Sequence, residues 1–160
     1  ALKQGREVRV AGAPEEELHD IGTLAYVRWL KTLQPGLLLI ECRGAQRFRI
    51  EQRERLPHGL WTAEVQWLPQ DRPMTVPDEL QAAAGGLRQL LDRLREDGVH
   101  PAMPDIEEAD FDDCGWLANR WAELLPLTTA HKQQLMSLDS PLLRLELVVD
   151  WLQDAEAPRP

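Results

Sequence analysis

Hydrophobic and polar positions alternate with a period of two in the first part of the chain, which predicts β-strands there. The pattern covers residues 21–30 and 46–54, and it returns from Trp61 to Trp67. Residues 1–10 are interpreted as one further strand. Residues 37–42 begin with an almost wholly apolar run, Leu37–Ile40, which we interpret as a strand buried on both faces. Pro35 and Gly36 precede this run and predict the turn that leads into it.

The period changes to 3.6 after a loop that holds three prolines between Pro69 and Pro77, and this loop is the best domain boundary in the chain. Four helices are predicted beyond it. The first carries an apolar stripe made of Leu80, Ala83, Ala84, Leu87, Leu90, Leu91 and Leu94. The Gly85–Gly86 pair within it indicates close helix packing.

Capping residues set the expected ends of these helices. Thr75 and Asp78 have the spacing of a capping box, and Gly98 is suited to a left-handed stop. Later starts are expected at Asp112 or Asp113, at Thr128 or Thr129, and at Ser140–Pro141.

Charge and cysteine content narrow the classes of function. The net charge is −9 with a pI near 4.9, which argues against non-specific binding to nucleic acid. No apolar run approaches the roughly 20 residues that a membrane span needs. Cys42 and Cys114 lie far apart without a C-x-x-C motif, which favours reduced, buried thiols and a cytoplasmic protein.

The residues that catalysis or metal binding needs are not arranged for either. Ser137 and Ser140 lie at a helix junction, where capping is the better interpretation, and no phosphate-binding G-x-x-x-x-G-K-[ST] loop occurs. The four histidines lack metal-ligand spacing. The acidic stretch around Asp110–Asp113 lacks the glycine and closing glutamate of a calcium loop, so we interpret it as helix capping. We therefore expect no catalytic residue, no metal site and no cofactor.

Six fragments in order along the chain resemble the Lon substrate-binding domain family, which includes stand-alone bacterial proteins as well as the N-terminal region of ATP-dependent Lon proteases. The fragments are Gly22-Thr23-Leu24-Ala25, Gly44-x-x-Arg47-Phe48-Arg49-Ile50, Gly59-Leu60-Trp61 leading into Ala63-Glu64-Val65, Trp121-Ala122-Glu123-Leu124-Leu125-Pro126-Leu127, Lys132-Gln133-x-Leu135, and Leu138-Asp139-x-Pro141-Leu142-x-Arg144-Leu145.

The resemblance implies an α+β fold in which a PUA-like β-pseudobarrel is followed by a helical bundle of about four helices. We assign residues 1–72 to the pseudobarrel, residues 73–154 to the bundle and residues 155–160 to a disordered tail. The chain opens at Ala1 without the family's first strands, so we expect an atypical or shortened member whose sheet has unpaired edges.

The resemblance also implies a non-catalytic module that binds unfolded or hydrophobic segments of client proteins, with a Lon-type protease as a further partner. The alternative is a self-associating adaptor without peptide binding. We expect a monomer or weak homodimer that binds neither nucleic acid nor membranes. The residues selected for protein binding are exposed aromatic, aliphatic and basic candidates: Trp29, Leu30, Leu33, Arg47, Arg49 and Trp151.

Overall fold

The structure, a computed structural model, describes residues 8–10, 18–99 and 106–156. The chain forms two compact units, residues 1–70 and residues 71–160. We call the first the sheet unit and the second the helical unit, because the described strands all lie in the first and the described helices in the second. The α+β class predicted from the sequence is confirmed.

The sheet unit contains four described strands, β1 (Val8–Val10), β2 (Ile21–Gln34), β3 (Leu37–Arg55) and β4 (Trp61–Trp67). They form one antiparallel sheet in the order β1-β4-β3-β2. This four-stranded sheet is the part of the predicted pseudobarrel that lies within the described residues. Of the strand predicted over residues 1–10, the first seven residues lie outside the described ones.

The turn between β2 and β3 consists of two residues, Pro35 and Gly36. Gly36 has a φ of 81°, which suits the third position of a type II turn, and proline is favoured just before it. The predicted turn is therefore confirmed, and it joins two strands that are both long by the standard of globular proteins, in which strands of about 5–6 residues are typical.

The core of the sheet unit lies where β2, β3 and β4 overlap. Phe48 is buried and meets Trp67 edge to face, with ring centroids 5.9 Å apart. Gly22 lies opposite Phe48 in the neighbouring strand. A Cβ atom at Gly22 would stand 2.6 Å from the Phe48 ring, so this position admits no side chain unless the ring moves. The close approach explains why glycine occupies a strand interior that it otherwise weakens.

The helical unit contains α1 (Gln81–Glu96), α2 (Cys114–Leu124), α3 (Thr129–Ser137) and α4 (Pro141–Glu156). Short 3-10 helices span Asp78–Leu80 and Glu108–Asp112. The four predicted helices are thus present. Helix α4 runs to Glu156, and residues 157–160 of the predicted tail lie outside the described residues.

Most of the predicted caps are confirmed. The Asp113 carboxylate accepts from the Trp116 amide at 2.7 Å, and the Thr128 hydroxyl accepts from the His131 amide at 3.2 Å. Ser140 precedes Pro141, the first residue of α4, as the sequence indicates. Gly98 adopts a φ of 71° after α1, and the Gly98 and Val99 amides donate to Arg95 and Leu94 in a Schellman arrangement.

The capping box predicted at Thr75 is wrong. Pro77, not Thr75, precedes the 3-10 helix, and no side chain caps that helix. Thr75 instead forms an isolated antiparallel bridge with Asp113, so its backbone is extended. Proline at position 77 disfavours helical backbone in the residue before it, which separates Thr75 from the helix start.

A buried apolar cluster holds the helical unit together, and its fully buried members include Leu87, Leu117, Leu145 and Val148. Trp121 joins this cluster and its indole nitrogen donates to the carbonyl of Ala83 at 3.1 Å. Gly86 lies against the same ring, since a Cβ there would meet Trp121 at 3.4 Å. The prediction of close packing therefore applies to Gly86, whereas Gly85 faces open space.

Arg144 is buried within this unit with 3% exposure. Its guanidinium donates to both oxygens of Asp71, at 2.7 and 3.1 Å, and also to Asn119 and to the carbonyl of Leu138. These contacts join the start of the unit to α2, to α4 and to the segment between α3 and α4. Loss of either partner would leave the other charge buried and unpaired, so the pair constrains how these segments meet even though such pairs add little net stability.

We predict that Gly22→Ala lowers the free energy of unfolding by about 1–3 kcal/mol, because the new methyl group overlaps the Phe48 ring. Urea unfolding followed by tryptophan fluorescence measures the change. Gly44→Ala is the matched control, since a Cβ there meets only Thr23 at 3.5 Å, an ordinary contact. Equal stability of the two variants would contradict the role assigned to Gly22.

The two cysteines should differ in reactivity. The predicted burial holds for Cys114 but is wrong for Cys42, which is exposed on β3. Burial, and to a smaller extent the nearby carboxylates of Asp113 and Asp112, raise the pKa of the Cys114 thiol. Titration with a chromogenic disulfide at pH 8 should therefore find one fast thiol in the folded protein, and none after Cys42→Ser.

The same pKa shift predicts a pH dependence of stability. The pKa of Cys114 is raised in the folded state, so the folded state holds this proton more tightly than the unfolded state does. In the unfolded state the thiol has the ordinary cysteine pKa of about 8.5. The tighter binding of this proton stabilises the folded state fully below the pKa of the unfolded state. That stabilisation is lost as the pH rises through the higher pKa of the folded state. Comparing wild type with Cys114→Ala across pH 7–10 isolates the contribution, and an identical pH slope in both would contradict it.

Candidate protein-binding surface

The β2–β3 hairpin extends beyond the rest of the sheet. Of the residues of β3, only those of its second part, from Phe48 to Arg55, pair with β4. The first part of β3, residues 37–47, pairs with β2 alone. In the described part of the chain, this portion of the sheet is therefore two strands wide, and no third strand covers its edges.

Exposed apolar side chains concentrate on this hairpin. Of the twelve large hydrophobic residues that are exposed among the described residues, nine lie between positions 26 and 40. They are Tyr26, Val27, Trp29, Leu30, Leu33, Leu37, Leu38, Leu39 and Ile40. Soluble proteins seldom expose apolar residues in such a contiguous group, and where they do the group usually marks a binding surface.

The interpretation of Leu37–Ile40 as a strand buried on both faces is wrong. All four residues form part of β3 as expected, but they are 46–56% exposed. The reason is the register of the sheet, which places them beyond the end of β4. An apolar run predicts burial only if something lies over both faces, and no described residue does so here.

The pairing of β2 with β3 divides the exposed part of the hairpin into two faces, because cross-strand partners point to the same side. Three pairs, Val27–Cys42, Leu30–Ile40 and Thr32–Leu38, define what we call the apolar face. It carries no charged residue. The pairs Tyr26–Arg43, Trp29–Glu41 and Lys31–Leu39 define the opposite side, which we call the mixed face.

The mixed face has an excess of positive charge. Lys31 and Arg43 are exposed, and neither forms an ion pair within the described part of the chain. Glu41, its only acidic residue, accepts a hydrogen bond from the Trp29 indole at 2.6 Å. Arg28 adds a further positive charge at a point where the β2–β3 register shifts by one residue.

The residues selected from the sequence fall into three groups. Trp29, Leu30 and Leu33 lie on the hairpin and are 43%, 57% and 53% exposed. Leu33 is the extra residue at a second register shift, between Thr32 and Gln34. These three remain candidates for protein binding, and the hairpin brings them together.

Arg47 and Arg49 lie farther along β3, where it continues beside β4. Arg49 is exposed between Ile21 and Gln66, whereas Arg47 is half-buried opposite Thr23. Both belong to the same sheet as the hairpin residues, but they lie at the end of the sheet that holds the core. Their part in binding stays a prediction.

Trp151 belongs to the helical unit. It is half-buried on α4, where its ring stacks on His131 of α3 at a centroid distance of 4.5 Å and an angle of 24°. It also packs at the margin of the apolar cluster of that unit. These contacts give Trp151 a packing role, and the prediction that it binds other proteins stays a prediction.

The sequence analysis missed several hairpin residues that belong to this surface, namely Tyr26, Val27 and Leu37–Ile40. A signal for them was present in the sequence. The two-residue turn at Pro35–Gly36 sets the register from the turn outward, and it therefore indicates that the segments on either side pair with each other. What the sequence did not reveal is how far β4 reaches along β3.

The acidic stretch before α2 serves as a set of caps, as predicted. The Asp110 carboxylate accepts from the Glu107 amide at 2.8 Å, and Asp113 caps α2. Among the described residues, no three histidine, cysteine or acidic side chains come together in a group suited to a metal ion. Nor is any helix there both long and apolar enough to span a bilayer.

Comparison with solved structures places the fold. The chain superimposes on the Lon N-terminal domain protein from Xanthomonas campestris with a TM-score of 0.68 and 22% identity, covering 92% of this chain and 89% of that one. The N-terminal domain of Mycobacterium avium complex Lon protease gives a TM-score of 0.59 and 23% identity, covering 92% and 77%.

Comparison with curated proteins finds Lon proteases of other bacteria. A Lon protease from Desulfovibrio desulfuricans is 27% identical over 96% of this chain, and one from Lawsonia intracellularis is 26% identical over 92%. The chain spans less than a fifth of the length of these proteases, 18% in each case.

The sequence profile of one protein family covers almost the whole chain. It matches residues 2–154, a range that holds strands β1–β4 with the exposed hairpin, helices α1–α3 and most of α4. On this match, the chain belongs to the family of the ATP-dependent protease La (LON) substrate-binding domain.

Proposed function

We propose that this chain is a non-catalytic recognition module that binds unfolded or hydrophobic segments of other proteins through the β2–β3 hairpin. The observation that carries the proposal is the concentration of exposed apolar side chains between residues 26 and 40. Membership of a substrate-binding domain family supports it. Unfolded chains expose the apolar side chains that folded proteins bury, so an exposed apolar surface selects for them.

The shape of the surface suits extended segments better than folded proteins. Both faces of the hairpin are exposed, and each apolar side chain stands beside its cross-strand partner. A ribbon two strands wide offers a narrow surface, whereas stable complexes of folded proteins bury about 800 Å² on each partner. A flexible chain can wrap such a ribbon and contact both of its faces.

The proposal extends to partners and location. Because the curated relatives are Lon proteases of which this chain matches under a fifth, we propose that a Lon-type protease is a partner that receives the bound segments. We also propose that the protein works in the cytoplasm. The thiols of Cys42 and Cys114 are both free, which suits that compartment.

The first test is binding to a permanently unfolded protein. A labelled, reduced and carboxymethylated α-lactalbumin should raise its fluorescence anisotropy on addition of this chain, and the native form of the same protein should not. The paired change Leu30→Ser with Ile40→Ser should weaken this binding about tenfold or more, because burial of each side chain contributes about 1.5–3 kcal/mol.

The matched control replaces two exposed apolar residues outside the hairpin. Val99 and Leu143 are 49% and 52% exposed, similar to Leu30 and Ile40, so Val99→Ser with Leu143→Ser removes a similar amount of apolar surface. This variant should bind as the wild type does. Neither double variant should alter unfolding by much, since exposed positions usually change stability by about 0.5 kcal/mol or less. Equal loss in both would contradict the assignment to the hairpin.

The adaptor alternative makes a different prediction for the same protein. The open edge of β2 also allows two copies to associate without any bound peptide. Sedimentation across a range of concentrations would then show a dimer that the Leu30→Ser and Ile40→Ser changes dissociate. Binding of unfolded protein by a monomer would instead support the recognition module.

A further inference from the structure

Between Ala25 and Gln34, no strand lies along the outer edge of β2 in the described part of the chain. The strand order β1-β4-β3-β2 gives β2 a neighbour on one side only, and β2 has fourteen residues. Every second residue of an edge strand directs its backbone N–H and C=O groups away from the sheet. These groups can pair with an extended chain laid alongside, which is a common mode of peptide recognition.

The two faces of the hairpin determine which chain would fit. Side chains of an added strand alternate between the faces of the sheet, as those of β2 do from Trp29 to Thr32, between two of its register shifts. On one side they would extend the apolar face, next to Val27 and Leu30. On the other side they would extend the mixed face, next to Trp29 and Lys31.

Charge distinguishes the positions beside the mixed face from those beside the apolar face. Lys31 and Arg43 on the mixed face have no ion-pair partner within the described residues, and Arg28 adds a further positive charge at a register shift of β2. Glu41 is held by the Trp29 indole. The sheet unit has ten lysines and arginines against nine acidic residues, whereas the helical unit has eight against eighteen. Within the sheet unit the β2–β3 hairpin, residues 21–55, has seven lysines and arginines against three acidic residues, so it is a basic region of an acidic protein.

We propose that the outer edge of β2 between Ala25 and Gln34 takes up one extended segment of a client protein as an additional strand, and that it prefers segments in which apolar and acidic residues alternate. The apolar residues extend the apolar face and the acidic ones lie beside Lys31 and Arg43. Backbone hydrogen bonds give affinity for an added strand of any sequence, and the side chains on the two faces give the preference for alternating apolar and acidic residues. The inference rests on the proposed function and specifies how the hairpin holds a client.

The probe is an octapeptide of alternating valine and glutamate, with fluorescein at one end and both termini blocked. It should bind the full chain more tightly than a valine–lysine peptide of the same alternation. It should also bind more tightly than a peptide of the same composition with its valines and glutamates in separate blocks. The preference for glutamate over lysine should shrink in 1 M salt, where the screening length is about 3 Å.

Backbone pairing is tested by methylating the peptide nitrogens. One peptide carries N-methyl groups on its valines and another carries them on its glutamates, so each has one blocked edge and one free edge. At least one of them should bind about tenfold more weakly than the parent, because each lost backbone hydrogen bond weakens binding. Unchanged binding of both would overturn strand addition.

Charge reversal tests the role of the basic residues. Lys31→Glu with Arg43→Glu should reverse the preference, so that the valine–lysine peptide binds more tightly than the valine–glutamate one. Arg72→Glu with Arg93→Glu makes the same charge change at exposed positions of the helical unit and should leave the preference as it was. An unreversed preference in the hairpin variant would overturn the assignment to Lys31 and Arg43.

The outcomes separate this inference from the function on which it rests. If unfolded α-lactalbumin binds and depends on Leu30 and Ile40, but the methylated peptides bind like the parent, the recognition module stands and strand addition fails. If unfolded α-lactalbumin does not bind at all, both fail. If methylation and charge reversal each change the binding of the alternating peptide, the result supports both the recognition module and strand addition.

Discussion

The pairing of β2 with β3 is the constraint on which the sheet unit depends. It extends from Ile21 opposite Arg49 to Gln34 opposite Leu37, whereas the pairing of β3 with β4 begins only at Phe48. Phe48 therefore marks a division of the hairpin into two parts. Beyond it the strands contribute to a core, and before it they form a ribbon with solvent on both faces.

The helical unit shows the opposite balance between burial and exposure. Its apolar cluster is closed around side chains such as Leu117 and Leu145, which have no exposed surface at all. Arg144, the one buried charge among the described residues, is paired with Asp71 and donates through its terminal nitrogens to groups from neighbouring segments. Because this unit has a core of its own, an exposed hairpin elsewhere in the chain does not deprive it of buried surface. Stability and recognition are thus carried by different residues.

Local features of the structure were predictable from the sequence because they depend on neighbours along the chain. The cap at Asp113, the left-handed glycine at Gly98 and the turn at Pro35–Gly36 each follow from the stereochemistry of a few residues. Thr75 shows the limit of such reasoning, since its spacing to Asp78 suggested a cap while its backbone pairs with Asp113 instead.

The exposed surface was harder to predict because it depends on the relative lengths of strands that are distant in sequence. Trp29, Leu30 and Leu33 were selected from their residue types and position. Leu37–Ile40 were assigned to a buried strand on the same kind of evidence, and the two interpretations conflict because these segments pair with each other. An apolar sequence shows that a surface avoids water, but it does not show whether that surface meets the protein's own core or another molecule.

Three register shifts interrupt the β2–β3 ribbon, between Thr23 and Ala25, between Val27 and Trp29, and between Thr32 and Gln34. Each such bulge increases the local right-handed twist of a strand pair. Fibrils grow by stacking flat, regular strands in register, and a strongly twisted ribbon cannot be copied in this way. The same irregularities therefore oppose the stacking of many copies into a fibril, while the regular stretch from Trp29 to Thr32, between two of the shifts, still allows a single strand to be added.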